Sequence, residues 1–111
     1  CGQTDFWICF DFKNIEIEIY NYSIKSYNSR FNHLKNWVIE ISNDQVNWEK
    51  IDEHLNCEDL NESLITKTFQ VDQNHFSRYC RLHHIGETCN YDSSRCPGFR
   101  CIEFYGKLKS A

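Results

Sequence analysis

The sequence predicts an all-β protein, an antiparallel sandwich or barrel of roughly seven short strands. Three features of its 111 residues carry that reading. Apolar residues recur at period two in several short runs, no stretch shows the three-to-four spacing of an amphipathic helix, and turn-forming clusters interrupt the runs at near-regular intervals. No internal repeat or low-complexity tract is present, and 111 residues suffice for one domain built around one core.

Taken in order, Ile8, Phe10 and Phe12 alternate with Trp7, Cys9 and Asp11, which predicts a strand with one apolar face. Lys13-Asn14 then reads as the turn of a first hairpin, returning through Ile15, Ile17 and Ile19, with Glu16 and Glu18 on the wet face. Tyr22 and Ile24 continue the alternation up to the polar stretch SYNSRFNHLKN, which reads as a long exposed loop. Trp37, Ile39 and Ile41 begin the next strand, and Ser42-Asn43-Asp44-Gln45 is a turn leading back through Trp48 and Ile51 in a second hairpin. Both Trp37 and Trp48 are expected in the core. The acidic, aperiodic stretch from Asp52 to Ser63 reads as a solvated loop, and Phe69 with Val71 marks another strand. Tyr79–Ile85 and Cys101–Tyr105 are the last two strands, joined by GETCNYDSSRCPGF, which holds the only proline.

Composition narrows the function. With 25% charged, 15% aromatic and 41% hydrophobic residues the chain has the balance of a folded globular protein. A formal charge of −4 offers no general cationic field for a phosphate backbone or an anionic bilayer, so nucleic acid and membrane lipid are not the expected partners. No apolar run approaches the roughly 20 residues of a membrane-spanning helix, and no targeting signal is legible. The seven cysteines are an odd number, so at least one is free or paired outside the chain. Cys9 and Cys80 fall inside strand-like runs as small buried hydrophobes, which favours a reducing, intracellular (cytoplasmic) setting. In an oxidising one, a disulfide between two of Cys89, Cys96 and Cys101 is the expectation. The triplets Asn21-Tyr22-Ser23 and Asn61-Glu62-Ser63 fit the N-glycosylation pattern but are frequent by chance in an Asn-rich chain.

The segment HLKNWVIEISNDQVNWEKID resembles the discoidin (coagulation factor 5/8 type C) pattern of an aromatic, alternating apolar residues, Ser-x-Asp and a tryptophan four residues on: Trp37, Ser42, Asp44 and Trp48. WICFDFKN, FSRYCRLHHIG and CIEFYGKL resemble further strands of that family, in the same order. The wording HLKNWVIE is especially similar to intracellular members found beside BTB-type modules. The resemblance implies a jelly-roll, galactose-binding-like β-sandwich that acts as a non-catalytic binding module for a protein or a glycan, presenting loops at one end. It also implies that residues 1–111 are an excerpt lacking the amino-terminal part of such a domain, with other domains of the same chain as further partners. Where the family has glycine after Ser-x-Asp this chain has Gln45, so Asp44 or Asn43 is expected to carry the left-handed backbone.

By that resemblance the loop from Tyr27 to His33 holds the family's third ligand-facing position. Its Tyr27, Asn28, Arg30, Phe31 and His33 mix flat apolar rings with hydrogen-bond donors, a mixture suited to sugars, lipid headgroups or a protein loop. The last inter-strand loop adds Asn90, Tyr91, Asp92 and Arg95. The bland alternatives are that Tyr27 and Phe31 cap the sandwich and that the later loop is merely exposed. His83 and His84 with the nearby cysteines are not expected to bind zinc, because no Cys-x-x-Cys pair exists and Cys80 and His83 point to opposite faces of a strand. Asp52-Glu53 and Glu58-Asp59 lack calcium-loop spacing. No phosphate loop, nucleophile elbow or cofactor motif is present, and no catalytic constellation is expected. A structural domain that packs against its neighbours is the alternative function.

Overall fold

The computed structural model describes residues 6–29, 31–72, 75–89 and 98–110. Among them are eight strands: β1 (Phe6–Asp11), β2 (Ile15–Lys25), β3 (Trp37–Ser42), β4 (Glu49–His54), β5 (Thr66–Gln70), β6 (Phe76–Ser77), β7 (Tyr79–His84) and β8 (Cys101–Ser110). They form two sheets whose pairings are all antiparallel: β1-β7-β3-β4, and a second in which β2 is flanked by β8 on one edge and by β5 and β6 on the other. The sheets close face to face over a core of Ile17, Ile19, Tyr22, Ile24, Trp37, Ile39, Ile41, Phe69, Cys80 and Leu82. This is the predicted antiparallel β-sandwich.

The second hairpin forms as expected, β3 pairing with β4. The first does not. β1 pairs with β7 from Phe6↔His84 to Asp11↔Tyr79, whereas β2 lies in the other sheet. The Lys13-Asn14 turn, with Lys13 at φ 59°, therefore carries the chain from one sheet to the other. Phe12 turns inward, its ring 6.1 Å from that of Phe104 on β8 in the other sheet, and the exposed Lys13-Asn14 turn then takes the chain across to β2. Ile8, Phe10 and Phe12 face inward but are only partly covered, and the outer edge of β1 is unpaired among the described residues.

Two further expectations are corrected. Trp48 precedes β4 on the outer face, with its ring 4.0 Å from the Arg81 guanidinium carbon. That guanidinium also lies 4.5 Å from the centre of the Trp7 ring and donates to Glu40 at 2.9 Å, so Trp48 belongs to a surface cation–π stack rather than the core. Of the two strand cysteines, Cys80 is fully buried but Cys9 is exposed, because Cys9 pairs in register with Arg81 on the outer face.

Along β2 the buried positions change phase, from Ile17 and Ile19 to Tyr22 and Ile24. A bulge at Ile19/Asn21 absorbs the extra residue and turns Tyr20 outward. Gly106 sits opposite this bulge, where an added Cβ would lie 1.9 Å from the Glu18 carbonyl oxygen, so no side chain fits. In the β3–β4 turn, Ser42 Oγ accepts from the amides of Asp44 (3.1 Å) and Gln45 (2.9 Å), and Asp44 Oδ1 accepts from those of Val46 (2.8 Å) and Asn47 (2.7 Å). These bonds, Asn47's foremost, hold the Asp44 carboxyl well below the usual carboxylate range. Gln45 itself takes the left-handed backbone, at φ 62°, and neither Asn43 nor Asp44 does. The amide bonds on either side of Gln45 leave the reversal to that residue.

Candidate functional site

Three connections meet at one end of the sandwich: the β2–β3 loop, the β4–β5 loop and the segment after β7. Residues 26–36 are not simply exposed. Ser26, Asn32, His33 and Leu34 are buried, and only part of the loop faces solvent. Ser26 starts the packing by donating its hydroxyl to the Glu62 carbonyl while accepting from the Ile65 amide at 2.9 Å. Ser63 donates to the Ser29 carbonyl at 2.7 Å, which ties the two loops together at their tips.

Within the β2–β3 loop, the Tyr27 hydroxyl donates to the Phe31 carbonyl and the Phe31 amide donates to Ser29 Oγ at 3.1 Å. The Tyr27 ring meets His33 edge-on at 5.0 Å. Tyr27 and Phe31 are half-buried and Asn28 is exposed. His33 is fully buried and supports the loop from beneath: its Nε2 lies 2.5 Å from the Ser29 carbonyl, so the proton resides there and Nδ1 is left as a buried acceptor without a partner. Burial pulls the His33 pKa below its ordinary value, partly opposed by the Ser29 carbonyl. Arg30, Asn90, Tyr91, Asp92 and Arg95 lie outside the described residues.

Two residues organise this end in roles the sequence did not assign them: Asn36, which it passed over, and His84, which it weighed only as a zinc ligand. Asn36 joins all three connections: its Oδ1 accepts from the Asn56 amide (2.7 Å), its Nδ2 donates to the Glu87 carbonyl (3.0 Å), and its own carbonyl accepts from the Ile85 amide (2.9 Å). His84, buried at the end of β7, accepts at Nε2 from the amides of Lys35 (3.1 Å) and Asn36 (3.3 Å) and stacks on Phe6 at 5.4 Å. Only chain-distant neighbours reveal either role. The Asn36-Trp37 boundary between polar loop and strand was the one available signal.

Further along, Asn32, at φ 58°, donates its amide to the Cys89 carbonyl at 2.8 Å and accepts the Thr88 hydroxyl at Oδ1 at 2.9 Å. Cys101, on β8, is exposed. Cys89, by contrast, is buried beside the β4–β5 loop, its thiol 3.9 Å from the carbonyl of Cys57. Cys80 and His83 occupy opposite faces of β7.

No family model matches the sequence, and no curated protein matches it. The architecture is nevertheless shared with solved structures. The C-terminal domain of a chitobiase from Bacteroides fragilis superposes with a TM-score of 0.70 at 18% identity, covering 96% of this chain and 66% of that one. The family 32 carbohydrate-binding module of Streptococcus pneumoniae EndoD does so with a TM-score of 0.68 at 10% identity, over 96% and 73%. A family 32 module from a Clostridium perfringens family 31 glycoside hydrolase gives 0.67 at 20% identity, over 91% and 66%. The fold is thus the antiparallel β-sandwich that these domains share, two of them family 32 carbohydrate-binding modules, and the chain spans about two thirds to three quarters of their length.

Proposed function

We propose that the chain is a non-catalytic recognition module that binds a glycan through the loop end described above. The observation that carries this reading is the sandwich shared with several carbohydrate-binding modules, together with a loop end whose residues suit a sugar. Another Clostridium perfringens module of similar fold, at a TM-score of 0.52 and 14% identity, is in complex with GalNAc-β-1,3-galactose. Within one loop, Asn28 offers an exposed amide and Phe31 a half-covered ring, the combination of directional polar group and flat apolar surface that a pyranose ring uses. Arg30, Asn90, Tyr91 and Arg95 extend the same reading. Tyr27 and His33 act in it as supports, because their polar atoms are turned into the loop.

The test is an NMR titration of residues 1–111 against a panel of simple glycans. Saturable shifts are expected at residues 27–33, weakened about tenfold or more in the Asn28→Ala/Phe31→Ala variant with little change in melting temperature. No saturable shift with any glycan, or shifts confined to other surfaces, overturns the reading. A second reading, a structural domain that packs against neighbouring domains, is favoured by one observation: Phe6, Ile8, Phe10 and Phe12 are only partly covered beside the edge of β1 that is unpaired among the described residues. Recognition of a protein through the same loops is distinguished by repeating the titration with partner peptides.

A further inference from the structure

The two thiols at the loop end lie in a defined geometry. The Cys57 amide donates to the Lys35 carbonyl at 2.9 Å and the Cys89 amide donates to the His33 carbonyl at 3.1 Å. Those acceptors are two residues apart along one segment, hence separated by at most about 7 Å. The cysteines lie on the same side of that segment, since the Cys89 thiol reaches to 3.9 Å from the Cys57 carbonyl oxygen. A disulfide requires Cα atoms about 4.4–6.8 Å apart, and the Cys89 thiol already reaches the Cys57 backbone. Both are free in this structure. Cys101, exposed on the far strand β8, has no such relation to Cys89 among the interactions described, and Cys96 lies outside the described residues.

We propose that Cys57 and Cys89 form a modification site: on oxidation they join as a disulfide that fastens the β4–β5 loop to the segment after β7. With glutathione disulfide as oxidant, the less buried Cys57 is the entry point. Its thiolate attacks one glutathione sulfur, forming a mixed disulfide and expelling a glutathione thiolate. Cys89 then attacks the Cys57 sulfur and expels the second. One protein disulfide forms, one glutathione disulfide is reduced to two thiols, and the two cysteine protons pass to them. Burial pushes both thiols above their ordinary pKa, so closure is slow at neutral pH and accelerates as pH rises. The bond closes the chain between residues 57 and 89 into a ring containing β5, β6 and β7, and ties together two of the three connections at the loop end. This inference stands independently of the glycan reading.

The experiment equilibrates residues 1–111 in graded glutathione redox buffers, blocks the remaining thiols with N-ethylmaleimide and maps non-reduced peptides. The expected first disulfide links Cys57 to Cys89. Oxidation should raise the melting temperature by about 5 °C or more, a gain absent in Cys57→Ser and retained in Cys101→Ser. A first disulfide joining Cys89 to Cys96 or Cys101 overturns the proposal. So does alkylation of both Cys57 and Cys89 at the most oxidising ratio. The peptide map of the unmodified sequence decides the question even if a serine variant folds poorly.

Discussion

Changing Tyr22 to phenylalanine isolates one polar chain that crosses the sandwich. Trp37 Nε1–H donates to the Tyr22 hydroxyl at 2.9 Å, that hydroxyl donates to Asp52 Oδ2 at 2.6 Å, and His54 Nε2 approaches the same oxygen at 3.0 Å. Tyr22 and Trp37 are fully buried, so the variant strands the indole N–H with no acceptor and withdraws a donor from a partly buried carboxylate. The first loss costs about 1–3 kcal/mol, and the hydrogen bond to a charged acceptor contributes about 1.5–3 kcal/mol. Allowing for relaxation and overlap, Tyr22→Phe should lose about 3 kcal/mol, read as a lower urea midpoint at unchanged slope. The loss should also depend on pH. Burial pushes the Asp52 carboxyl up, but the His54 and Tyr22 hydrogen bonds outweigh it and hold the carboxyl below its ordinary 3.8. A group whose folded pKa is depressed contributes stability that is present above the unfolded pKa and lost as pH falls through the folded one. The difference between the two proteins should therefore stay level from about pH 7 to about pH 5 and shrink only as pH falls below about 4, through the folded Asp52 value. A loss under about 1 kcal/mol at pH 7, or one that does not change with pH, refutes the argument.

Two backbone predictions follow from local conformation. Gln45→Gly removes the left-handed penalty of a residue at φ 62° and should stabilise by about 0.5–1 kcal/mol, after allowance for glycine's greater freedom in the unfolded chain. A lower melting temperature contradicts it. Gly106→Ala forces a Cβ to within 1.9 Å of the Glu18 oxygen, so β2 and β8 must part at the bulge. A loss of at least about 3 kcal/mol is expected in chemical denaturation, and one under about 1 kcal/mol would show that the bulge relaxes freely.

The sequence by itself determined the strand content and most of the inward faces, because period-two alternation is a local property of the backbone. Ile8 and Phe10, Trp37, Ile39 and Ile41 all point where their spacing assigns them. The resemblance to discoidin domains anticipated the jelly-roll sandwich that the solved carbohydrate-binding modules share. Only the tertiary structure decided which strand lies beside which. Lys13-Asn14 is a sound turn by composition, yet whether a turn returns to its own sheet or crosses to the other depends on where Phe12 finds its contacts. Trp48 and Cys9 satisfy the pattern of buried residues but lie on the outer face, where the Arg81 stack and the β1–β7 register place them. Gln45 adopts the left-handed backbone because the Ser42 and Asp44 hydrogen bonds around it fix the neighbouring turn, a cooperation no residue preference reports. The parts of the candidate site are likewise unequal in legibility. Its rings and amides could be read from the loop composition, whereas Asn36, His84 and the approach of Cys89 to Cys57 connect residues far apart in the chain. Hydrogen bonds of that kind exist only once the loops are packed together.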